Sequence, residues 1–129
     1  MDDTFLQTEK LLRAVRPMNM YWKQDGSLSS AAFKDKAGLS VDRTGNRTLD
    51  AAVLFTQSHL SGTIVYVTVS ECENAKVKLR YLPLPDNVFH SEIHRDEEHV
   101  ELTKSQAKHL ASVAHIVSGE EGYTISIKA

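Results

Sequence analysis

The residues best suited to chemistry lie in one octet, Asn87-Val88-Phe89-His90-Ser91-Glu92-Ile93-His94. On a β-strand, successive side chains point to opposite faces of the sheet. His90, Glu92 and His94 then share one face, and Phe89, Ser91 and Ile93 the other. Two imidazoles and a carboxylate on one surface suit a divalent metal such as zinc or ferrous iron, because imidazole nitrogen and carboxylate oxygen both ligate these ions. Alternate residues on a strand lie roughly 7 Å apart, so their side chains can turn toward one ion. A complete site usually recruits a further ligand from another element, and His99 is the nearest in sequence. The same spacing also fits the wet side of a half-buried strand, with Lys78 or Arg80 pairing across it.

His90 also suits acid–base work alone, since imidazole titrates near neutral pH. Ser30, in the Ser29-Ser30 pair, is a candidate nucleophile and Asp42 a candidate orienter of the histidine. Neither a Gly-x-Ser-x-Gly elbow, nor a Walker loop, nor a Gly-x-Gly-x-x-Gly turn occurs. Arg13, Arg16, Arg43 and Arg47 remain as cations for a phosphate or another ligand, Arg43 chief among them. For a protein partner the best candidate is Trp22, which with Tyr21, Met18 and Met20 forms an aromatic and methionine cluster. The same aromatics would equally anchor their loop to the core.

These side chains need elements to hold them. The N-terminal stretch 3–15 reads as a short amphipathic helix ending before Pro17, with a strand over Leu11–Val15 as the alternative. Residues 17–47 form a long irregular loop with turns at Asp25-Gly26 and Gly45-Asn46. Two short strands are expected within it, Ser30–Phe33 and Leu39–Asp42. Thr48 caps a helix to Leu60, stopped by Gly62. Thr63–Ser70 is β-branched and aromatic almost throughout, which predicts a central strand. Glu73-Asn74-Ala75 is expected to turn the chain into a hairpin with the alternating stretch Lys76–Leu82. The prolines at 83 and 85 make a stiff connector to the His90 strand. Thr103-Lys104-Ser105-Gln106 is a capping box opening a helix that runs to about Gly119, and a last strand is expected over 123–128. The pattern predicts an α+β fold: two or three helices packed on a largely antiparallel sheet of four to six strands.

The 129 residues are expected to form a single globular domain, and a chain of this length buries roughly two-thirds of its unfolded surface. Fifteen basic residues against seventeen acidic ones, a formal charge of −2, give no surplus for nucleic acid. No apolar run approaches the ~20 residues that span a bilayer. A single cysteine, Cys72, excludes an internal disulfide and fits a cytoplasmic protein. It follows a β-branched run, which predicts a buried, inert thiol.

Three patches carry a resemblance: Ser29-Ser30-Ala31-Ala32-Phe33, then Leu39-Ser40-Val41-Asp42-Arg43, then Leu84-Pro85-Asp86-Asn87 leading to His90. In that order they resemble a loose group of small bacterial proteins with SSAAF-like, LSVD-like and LPxNxxH-like pieces and no established activity. The resemblance implies importance for Ser30, Asp42, Asn87 and His90, and leaves Glu92 and His94 outside. Two functions fit this sequence. One is a small soluble binding module engaging a protein partner or small molecule through the 17–47 loop and the 87–94 strand. The other is a small hydrolase or transferase using His90 as general acid or base, with or without a metal.

Overall fold

The computed structural model describes residues 2–117 of the chain. Among them six strands form one sheet in which every neighbouring pair is antiparallel: β1 (Lys10–Val15), β2 (Leu39–Arg43), β3 (Thr63–Thr68), β4 (Lys78–Tyr81), β5 (His90–His94) and β6 (His115–Ile116). Their order across the sheet is β4-β5-β2-β1-β3-β6. Three α-helices accompany it, α1 (Leu49–His59), α2 (Val69–Asn74) and α3 (Lys104–Val113), with a 3-10 turn over Ser30–Phe33. The α+β class expected from the sequence is the one observed.

The chain beside Pro17 is a strand and not a helix. Leu11 and Val15 enter one core, while Leu12 enters the other on the opposite face. A strand with both neighbours in place buries the two faces at once, which a surface helix cannot do. The larger core lies between the sheet, α2, α3 and the 3-10 turn, around Phe33, Val65, Ile93 and Leu110. The smaller lies under α1, around Leu12, Ala52, Val53 and Ile64.

Three other expectations are corrected. Ser30–Phe33 is not a strand but a single 3-10 turn that buries Ala32 and Phe33. Lys76–Leu82 does not hairpin onto β3. Thr68 and Glu71 form a reciprocal capping box that starts α2 directly after β3. That helix carries the chain across the sheet face, so β4 pairs with β5 at the far edge. The third helix stops at Val113, short of Gly119. There the backbone becomes extended at Ala114, so that β6 pairs with β3 and Val117 reaches the smaller core. The expected strand over 123–128 lies outside the described residues.

The other helix signals are as read: the Thr48 side chain accepts from the Ala51 N–H, and Thr103 and Gln106 cap α3 reciprocally. Cys72 is fully buried on α2, where burial first and the nearby Glu71 and Glu73 second push its thiol up to about 12. It is a neutral core side chain. No helix among the described residues is long and apolar enough to cross a membrane.

Candidate functional site

Helix α1 covers β3, β1 and the near part of β2, but leaves the same face of β5 and β4 open. Alternation places Ser40 and Asp42 of β2 on this face, because Leu39, Val41 and Arg43 turn to the other. In the β2–β5 register Asp42 lies opposite His90, and Ser40 opposite Glu92. The next pair along, Arg43 and Phe89, is hydrogen-bonded through the Arg43 N–H at 3.0 Å. Antiparallel pairs alternate, so Asp42 and His90 form a non-hydrogen-bonded pair, the kind whose side chains approach most closely.

The exposed end of α1, with His59 and Leu60, and the turn Leu84–Asn87 wall this part of the face into a cavity of about 260 Å³. Ser40, Val41, Asp42 and His90 complete its lining, which is mainly apolar in area. Asp42 is only 3% exposed. Its Oδ1 accepts from Asn87 Nδ2 at 2.8 Å, and its Oδ2 accepts from Thr56 Oγ1 at 2.8 Å. His59 Nε2 stands 3.2 Å from the same Oδ2. A buried carboxylate is tolerable only when such donors replace water. His59 Nδ1 faces the Phe55 carbonyl at 2.9 Å. Both of its ring nitrogens therefore face acceptors.

His90 is held differently. Its Nδ1 lies 2.8 Å from the Leu82 carbonyl, an acceptor only, so in the neutral ring Nδ1 carries the proton. Nε2 is then a lone pair, and it faces Ser40 Oγ at 3.3 Å. The Ser40 hydroxyl, the His90 ring and the Leu82 carbonyl thus form one chain of contacts.

The sequence-derived candidates fall into three groups. Asp42, Asn87 and His90 meet in this cavity although 45 residues separate Asp42 from Asn87. Glu92 and His94 share the open face but pair with each other, His94 Nε2 to Glu92 Oε1 at 2.7 Å. The Glu92 carboxylate lies over Gly38, where a Cβ would collide with it and where φ is +121°. His90 takes no part in that pair, and His99 binds Asp96 in the charged loop. No three His, Cys, Asp or Glu side chains among the described residues are grouped to hold a metal ion.

The remaining candidates are elsewhere. Ser30 sits on the 3-10 turn, whose buried residues belong to the opposite core, and does not line the cavity. Trp22 is no partner surface: it is 4% exposed, and its indole N–H donates to the Arg16 carbonyl at 2.9 Å. It anchors the long loop, because a buried indole needs both apolar cover and an acceptor. Arg43 is not open to a ligand either. It is 2% exposed, forks onto Glu9 at 2.6 and 2.9 Å, and packs against the rings of Phe5 and Tyr81.

Ser40, Thr56 and His59 belong to the site and were not singled out. A signal existed only for Thr56, a hydroxyl at an otherwise apolar position of the α1 stripe. Ser40 and His59 become site residues through strand register and helix placement, which no local pattern encodes. Comparison of the chain with protein-family models, with curated proteins and with solved structures finds no match.

Proposed function

We propose that the protein is a small-molecule binding module whose ligand enters the cavity between β2, β5, the end of α1 and the Leu84–Asn87 turn. The observation that carries this is the convergence of Asp42, Asn87 and His90 on one mainly apolar cavity. A concave apolar wall with a few fixed polar groups is the usual form of a ligand site. The volume is just below the roughly 300 Å³ at which drug-sized pockets begin, which favours a compact ligand. Leu60 and Leu84 would take its apolar body, and His90 and Ser40 its hydrogen-bonding end. The buried state of Trp22 favours this over a protein partner at the 17–47 loop. Cytoplasmic residence and the likeness to the bacterial group belong to the same reading, supported by the single buried thiol and by the meeting of Asp42, Asn87 and His90.

A second reading rests on the Ser40–His90 contact. His90 Nε2 would take the Ser40 proton as Oγ attacks an ester carbonyl, then pass it to the departing alcohol. Water would release the acyl group from Ser40 by the reverse path. One set of samples tests both. Benzamide is titrated into ¹⁵N-labelled protein, and p-nitrophenyl acetate turnover is followed separately. The binding reading expects saturable shifts at Val41, Leu60, Asn87 and His90 that His90→Ala abolishes; scattered or absent shifts overturn it. The hydrolase reading expects turnover lost in both Ser40→Ala and His90→Ala; turnover that survives Ser40→Ala overturns it.

A further inference from the structure

Arg13 of β1 projects to the face opposite the Asp42 cavity, beside the 3-10 turn. Its Nε donates to the Ala32 carbonyl at 2.9 Å and its Nη1 to the Ser40 carbonyl at 3.1 Å. Both acceptors are neutral. No carboxylate among the described residues forms an ion pair with it. Withdrawal from water holds its pKa below the ordinary arginine value, with Asp35 and Tyr21 acting the other way. The side chain is half-buried, and its bond to the Ser40 carbonyl lies at the surface.

What Arg13 faces is a cavity of about 410 Å³, predominantly polar in its lining. Arg16, Met18, Tyr21 and Asp35 share its walls. The one carboxylate there, Asp35, is occupied locally: its Oδ1 accepts from the Ala37 N–H at 2.9 Å. The two bonds of Arg13 leave Nη2 without an acceptor among the described residues, so one edge of the guanidinium fork is open. Planar forks match the two oxygens of a carboxylate or phosphate. The volume is within the range of small-molecule sites.

We propose that this second cavity is an oxyanion site, taking the carboxylate or phosphate of a small organic acid against the open edge of Arg13. Arg16 adds a second positive charge at the rim, and Tyr21 a phenol in the wall. Asp35 limits the site to ligands whose anion sits at the Arg13 end. The site is separate from the Asp42 cavity, and Ser40 links the two: its carbonyl holds Arg13 and its hydroxyl faces His90.

The test is a titration of the full chain, ¹⁵N-labelled, with inorganic phosphate and separately with acetate, against sodium chloride at matched ionic strength. Saturable shifts at the Arg13 Nε–H, Tyr21 and Ala32 are expected with one or both anions, and which of them saturates identifies the acid. Arg13→Lys keeps the charge but loses the fork, and is expected to weaken binding about tenfold. Arg16→Gln is expected to weaken it severalfold while leaving the spectrum folded. Shifts that chloride reproduces, or an affinity unchanged in both folded variants, overturn the proposal.

Discussion

Arg13 and Arg43 lie on neighbouring strands and project to the same side of the sheet, yet their surroundings differ in kind. Arg43 has a carboxylate in bidentate contact, two further backbone acceptors at Asp2 and Thr4, and two aromatic rings against it. Arg13 has two carbonyls, no ion-pair partner among the described residues and an open cavity. The first is a closed structural charge that ties the N-terminal segment to β2. The second has unused bonding capacity. The presence of a cation on this side of the sheet therefore says little, and the inventory of its acceptors separates a staple from a receptor.

That contrast predicts a ranking of stabilities, measured by urea unfolding. Arg43→Ala strands the Glu9 carboxylate at 5% exposure and is expected to cost about 3–5 kcal/mol. A loss under 1 kcal/mol, on the order of a surface pair, would break the comparison. Asp42→Ala removes the acceptor of Asn87 and Thr56 and is expected to cost about 2 kcal/mol. This variant extends the comparison to the other cavity, where a buried anion is closed by two hydrogen-bond donors with His59 beside them. Arg13→Gln comes last, at about 1 kcal/mol, because relief of desolvation offsets part of the two lost hydrogen bonds. Phosphate at saturating concentration should then raise the stability of the parent chain and not of this variant. A loss as large as that of Arg43→Ala would place both arginines in the same structural class.

The His90 strand illustrates how far the candidate site was legible. Alternation put His90, Glu92 and His94 on one face, and the face is as read. Their convergence was not readable, because it depends on what lies across the strand. His90 meets Ser40 and the Leu82 carbonyl, while Glu92 meets His94 over the bare Cα of Gly38. Ser30 and Ser40 show the same limit. Both are serines in the LSVD and SSAAF patches, and only the pairing of β2 with β5 brings one of them to the histidine. Trp22 was read two ways, and the Arg16 carbonyl that satisfies its indole decides for the core.

Composition and local pattern by themselves determined the α+β class, the Thr48 and Thr103 caps, the β-branched β3, the inert Cys72 and the polar face of β5. Each of these depends on neighbours within a few residues, where propensity and period act directly. The tertiary structure alone decided which edge β4 joins, that residues 10–15 lie in the middle of the sheet, and that Asp42, His59 and His90 share a cavity while Arg13 opens on another. Those outcomes rest on contacts between residues tens of positions apart, and they are set by which faces can be buried together rather than by any segment's own preference.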